Sequence, residues 1–216
     1  NANETILEPT AVSASLGVPT MVTCNGDANG SVSVTGSGGT VAGDYTYLWN
    51  NGQTTATASN LAPGTYTVTI KDDNNCSSSA GPVSITEPAV LTASMGVPTM
   101  VSCNGGSDGN VTVTGLGGTV AGDYTYLWSN GQTTATATGL VAGSYTVTIT
   151  DDNGCQASAG PVTITEPTLV VATMGSPSMV SCNGGSDGNV TVTGSGGTVA
   201  GDYTYLWSNG QTTATA

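Results

Sequence analysis

Two residue types in this 216-residue chain recur at spacings that could do chemistry, cysteine and aspartate. Cys24, Cys103 and Cys182 stand 79 residues apart, and so do Cys76 and Cys155, each 52 residues after the first cysteine of its copy. Such thiols can close a bond within a copy (Cys24–Cys76, Cys103–Cys155), close one between copies (Cys24–Cys155), or stay free, and spacing alone leaves all three open. The carboxylates fall as Asp72-Asp73 and Asp151-Asp152, with Asp108 just before a glycine. Asn25, Asp27 and Asn29 alternate ahead of Gly30, and hard oxygen ligands of this kind suit calcium, the one cofactor these residues suggest. Asp and Asn also bend and cap tight turns through their own side chains, the simpler reading of these aspartates.

Other chemistry is missing from the sequence. Without histidine there is no His-based triad and no ordinary zinc set. Cys-x-x-Cys is absent, and the glycine-rich GSGGTVAGD has no lysine with which to hold a phosphate. No copy gathers a catalytic set, so the expectation is a non-enzyme. Fourteen acidic residues against the single base Lys71 give a net charge of −13, which repels nucleic acid and anionic lipid. No apolar run approaches the ~20 residues of a membrane helix. An N-terminal signal peptide is not visible, so any targeting signal is expected outside this sequence.

The elements that must position these residues are themselves repeated. Glu8-Pro9, Glu87-Pro88 and Glu166-Pro167 keep the 79-residue step, and GDYTYLWSNGQTTATA stands at both 122–137 and 201–216. The predicted organisation is the last strand of a preceding repeat at 1–9, full repeats at 10–88 and 89–167, and an incomplete repeat at 168–216. TILEP at 5–9 aligns with SITEP and TITEP, so the sequence reads as a piece of a longer array.

Within a copy the hydrophobic period is two. Tyr66, Val68 and Ile70 share one strand face, as do Tyr145, Val147 and Ile149. Trp49, Trp128 and Trp207 each end a DYTYLW strand ahead of an Asn-Gly turn, and together these residues are the predicted core. Seven short strands per copy, the fourth being a short piece after the Asn-Gly turn, predict an all-β tandem array of immunoglobulin-like sandwiches of the PKD or fibronectin III kind. Tyr66 and Tyr145 sit where a corner tyrosine ties its hydroxyl to backbone. The five methionines, around GVPTM and GSPSM, read as gap-fillers between neighbouring copies.

These residues carry a resemblance. VSCNGGSDGNVTVTGSGGTVAGDYTYLWSNGQTT and the following AGSYTVTITDDNGC resemble the SprB repeat, and the pattern recurs in every copy. The resemblance implies large surface proteins of Bacteroidota exported by the type IX secretion system, of which the namesake is a gliding-motility adhesin. It implies a secreted, cell-surface stalk or adhesive filament and supplies no catalytic residues. Copy 1 departs mildly, with CNGDANGS in place of CNGGSDGN.

An extracellular setting brings the cysteines back. A bond closing so long a loop adds ~4 kcal/mol in the chain-entropy model. In a seven-stranded sandwich the loop before the second strand and the turn after the sixth lie at opposite ends, and six residues already span ~20 Å. Bridged Cα atoms must come within ~7 Å, which argues for Cys24–Cys155 between end-to-end copies over the within-copy bond. An isopeptide staple needs a lysine in every copy, and Lys71 becomes Thr150. The expected function is a structural spacer whose partners are neighbouring repeats of the same chain. Two rivals are a polysaccharide-binding module using an exposed row of tyrosines such as Tyr124 and Tyr126, and a self-assembling filament with other copies joined through edge strands.

Overall fold

The computed structural model describes residues 7–216, and among these there is no helix, hence none long and apolar enough to cross a membrane. The strand expected in the segment 1–9 lies largely outside the described residues, and residues 7–9 carry none. Copy 1 holds β1 (Ser13–Leu16), β2 (Gly30–Ser37), β3 (Thr46–Trp49), β4 (Thr57–Leu61), β5 (Gly64–Lys71) and β6 (Ser77–Ile85). Copy 2 repeats them as β7 (Ala89–Met95), β8 (Gly109–Gly118), β9 (Thr125–Trp128), β10 (Thr136–Leu140), β11 (Gly143–Thr150) and β12 (Gln156–Ile164). Copy 3 has β13 (Val171–Met174) and β14 (Val192–Ser195).

Each full copy divides its strands between two three-stranded sheets, β1-β2-β4 and β3-β5-β6, then β10-β8-β7 and β12-β11-β9. This one-two-four against three-five-six division is that of an immunoglobulin-like sandwich. The difference from expectation is the fourth strand. The piece after the Asn-Gly turn is no strand, because the Gln53 side chain takes its place: Nε2 donates to Ser59 O at 2.8 Å and Oε1 accepts Ser59 N–H at 3.0 Å. Gln132 clamps Thr138 in the same way at 2.7 and 2.9 Å. A primary amide here supplies the donor and acceptor pair that a strand residue would.

Alternation places one face of every strand in the core. In copy 1 Val22, Val32, Val34, Trp49, Ala58, Leu61, Val68, Ile70 and Ile85 form one buried cluster, with Tyr66 packed against it. In copy 2 the residues 79 positions on are buried, Trp128, Val147 and Ile149 among them, with Tyr145 at 9% exposure. Fully burying such side chains contributes roughly 1.5–3 kcal/mol each. The indole N–H groups of Trp49 and Trp128 donate to Thr55 O and Thr134 O at 2.9 and 2.8 Å, so neither ring buries an unpaired donor. The hydroxyls of Tyr66 and Tyr145 donate to Ala62 O and Val141 O at 2.9 and 3.1 Å, the bond of a tyrosine corner. Trp207 differs from the expected core: only half-buried, it has the two strands of copy 3 around it. Met21 and Met100 also depart from a junction role, since their sulfurs accept the Thr86 and Thr165 N–H groups at 3.3 Å within their own copies.

The described residues form two compact units. One runs through Thr92 and includes Gly115–Tyr124 and Thr150–Ala157; the other comprises Ala93–Thr114, Thr125–Ile149 and Ser158–Ala216. The first unit therefore contains copy 1 together with a loop and a turn of copy 2.

Candidate functional site

The chemistry-bearing residues of the first unit gather where the Asp151–Cys155 turn of copy 2 meets the Cys24 loop of copy 1. The turn follows β11 and is built by one carboxylate. Asp151 Oδ1 accepts the N–H groups of Asn153 and Cys155 at 3.0 and 2.8 Å, and Oδ2 accepts that of Thr119 at 2.8 Å. Asp152 Oδ2 accepts Ala121 N–H at 2.6 Å. Gly118 gives this acid room: its φ is +67°, and a Cβ there would come within 2.5 Å of Asp151 Oδ2. Copy 1 repeats the turn, Asp72 accepting from Asn74, Cys76 and Thr40 at 3.0, 2.8 and 2.9 Å, and Asp73 from Ala42 at 2.6 Å. The one change in the turn, Asn75 for Gly154, falls at a left-handed position (φ 64° and 83°) that both residues tolerate.

Asp72 and Asp151 are 5% and 6% exposed, yet both remain acidic. For Asp72 the Thr40 N–H is the largest influence; with those of Cys76 and Asn74 it outweighs burial and lowers the pKa. For Asp151 burial is the largest influence and pushes upward, but the combined N–H groups of Thr119, Cys155, Asn153 and Gly154 bring the pKa below its ordinary value. Asp108 and Asp187 are lowered by the hydroxyl and N–H of Ser102 and Ser181. Asp108 Oδ1 accepts Ser102 N–H at 3.0 Å, the place Asn29 Oδ1 takes on Thr23 N–H in copy 1 at 3.0 Å. Asp72, Asp73, Asp108, Asp151 and Asp152 are thus each engaged by backbone donors, as is Asn29. Among the described residues no three His, Cys, Asp or Glu side chains converge to hold a metal.

The Cys24 loop is held from the other side. Asn25 Nδ2 donates to Pro88 O at 3.0 Å, and Glu87 Oε2 accepts Gly26 N–H at 2.6 Å. The Glu-Pro punctuation is therefore a clamp on the cysteine loop, and copy 2 repeats it with Glu166 on Gly105 at 2.6 Å. Between the two halves, Asn153 Nδ2 donates to Thr23 O at 2.9 Å and to Thr119 Oγ1 at 3.0 Å. Beside them Cys24 and Cys155 are joined in a disulfide, Cα atoms 5.7 Å apart and 131 residues distant in sequence. Cys76, Cys103 and Cys182 are free and exposed. The sequence marks Glu87 and Glu166 only as punctuation of the repeat, on the 79-residue step they share with the cysteines they serve, and it does not single out Asn153.

The SprB repeat model matches residues 17–54, 96–133 and 176–212, more than half of the chain. The chain belongs to the SprB repeat family. Each matched segment of this SprB-repeat chain carries the loop cysteine and the tryptophan of the DYTYLW phrase. A solved structure described as the crystal structure of a tetra-tandem repeat in the extending region of a large adhesion protein is similar over 96% of this chain, at 21% identity and a TM-score of 0.28. This chain spans 62% of the length of that one. No curated protein matches.

The tyrosines of the polysaccharide reading are half-buried, and the Tyr124 hydroxyl is spent on Gly117 O at 2.8 Å.

Proposed function

We propose that this chain is a run of structural spacer repeats in a stalk of a secreted bacterial surface adhesin, organised as repeats at 10–88, 89–167 and 168–216. Membership of the SprB repeat family supports the surface-adhesin reading. Gliding motility and type IX export are its finer form. The observation that carries the stalk reading is the Cys24–Cys155 bond, which ties one copy of the repeat to the next. A disulfide also suits an oxidising, extracellular setting. A series of sandwiches tied in this way transmits tension along the array, while the polar, strongly acidic surface keeps it soluble.

The reading is tested by length and by binding. With strands running along the long axis, each added copy lengthens the molecule by roughly 30–40 Å. Small-angle scattering on chains of increasing copy number is expected to give a maximum dimension rising linearly. A dimension that grows only as the cube root of mass, or saturable binding of surface polysaccharide by every copy, overturns the spacer reading.

A further inference from the structure

Cys103 stands in the same loop as Cys24, one copy on. Asn104 Nδ2 donates to Pro167 O at 3.1 Å and Glu166 Oε2 accepts Gly105 N–H at 2.6 Å, against 3.0 and 2.6 Å around Cys24. Gly106 N–H closes the turn onto Cys103 O at 3.0 Å, as Asp27 N–H does onto Cys24 O at 3.1 Å. A preorganised loop around an exposed thiol is not yet a site, but its surroundings also match. The cleft at Cys24 is walled by Asn25, Val90 and Leu91 and, on the side of the bound turn, by Cys155 and Gln156. The cleft at Cys103 is walled by Asn104, Leu169 and Val170, the same positions 79 residues on, and Gly197 and Thr198 line its remaining side.

Gly197 and Thr198 identify the occupant. They correspond to Gly118 and Thr119, the backbone on which the Asp151 turn rests, and to Gly39 and Thr40 beneath Asp72. Their loop is already shaped. Gly196 and Gly197 have φ of 79° and 68°, against 85° and 67° at Gly117 and Gly118. Tyr203 donates to Gly196 O at 2.6 Å, as Tyr124 does to Gly117 O at 2.8 Å.

We propose that Cys103 is a covalent docking site for an Asp-Asp-Asn-x-Cys turn belonging to the same copy as Thr198, seated on the Thr198 N–H as Asp151 is on that of Thr119 and closing a disulfide with Cys103. Cys76, in the turn that matches the Cys155 turn, is the complementary half and takes the loop cysteine of another copy. In the reaction two thiols lose two protons and two electrons as the S–S bond forms. A small-molecule disulfide such as oxidised glutathione accepts them and leaves as two thiols. The bonds interleave: Cys103 lies between Cys24 and Cys155, so each clip opens before the previous one has closed. This inference goes beyond the spacer reading, because a disulfide map can fail while stalk length and lack of binding stand.

The test lengthens the chain at Ala216, the counterpart of Ala137, with a second copy of residues 138–167, and oxidises it in a glutathione buffer. The present chain is expected to alkylate at Cys76, Cys103 and Cys182. In the lengthened chain alkylation is expected at Cys76 and Cys182 alone, with a peptide linking Cys103 to the added cysteine in non-reducing mass spectrometry. A companion carrying Cys76→Ser and Cys182→Ser removes the competing thiols and is expected to show the same link and no free thiol. An added cysteine found free, or joined to Cys182, in the lengthened chain, or free in the companion, overturns the proposal.

Discussion

Asp72 and Asp151 are the residues on which the cysteine turns depend, each gathering three N–H groups onto one carboxylate. Such bonds stabilise the charged form, and both pKa values lie below the ordinary 3.8. For a depressed acid, the stabilisation is complete above the unfolded value and drains away as pH falls through the folded one. The melting temperature is therefore expected to hold steady above pH 3.8 and to fall as pH is lowered beyond it. Asp151→Asn sets an amide N–H₂ against the Thr119 N–H, and is expected to lower the melting temperature at pH 7 and flatten the acid slope. An unchanged slope in that variant contradicts the role. Gly118→Ala places a Cβ within 2.5 Å of the same carboxylate at a φ of +67°. Residues held in that backbone region cost about 1–3 kcal/mol each, so denaturant unfolding of the variant is expected to show at least this loss. These turns were legible as turns, since Asp-Asp-Asn is turn chemistry. Their exact donors were not: Thr119 lies 32 residues from Asp151, and no local pattern announces it.

At the scale of strands, period-two alternation located the cores because each face is either buried or wet. Trp128→Ala removes a side chain that is 2% exposed and leaves its volume empty. A loss of roughly 3–5 kcal/mol is expected in chemical denaturation. Trp207→Ala, at a half-buried position, is expected to cost much less. Equal losses at the two sites contradict the difference in burial. The fourth strand is where sequence and structure part. Thr54-Thr55 has strand propensity, but the two amide bonds of Gln53 satisfy Ser59 in place of a neighbouring strand. A glutamine clamp has no periodic signature, so reading it required the structure. Gln132→Ala is expected to loosen the start of β10, seen as faster amide exchange at Thr138 with little change in the β11 strand.

At the scale of the molecule, the 79-residue step was legible at once, because whole phrases recur. Spacing alone left the cysteine pairing open; it was sandwich topology, which sets the loop before the second strand and the turn after the sixth at opposite ends, that favoured Cys24–Cys155. The bond from Cys24 to Cys155 makes a covalent shortcut across 131 residues of sequence. Tension applied at the two ends passes through the sulfurs and leaves the enclosed strands unstretched, which is what a stiff spacer requires. An extended chain spans at most ~3.3–3.6 Å per residue, so reducing the bond frees roughly 450 Å of contour. Single-molecule stretching of the chain, held at both ends with and without a thiol reductant, tests this directly. The oxidised chain is expected to release only the contour outside Cys24–Cys155, and the reduced chain to release the additional length in steps as copies 1 and 2 unfold. Equal extension in the two conditions contradicts a stalk whose copies are tied by this bond.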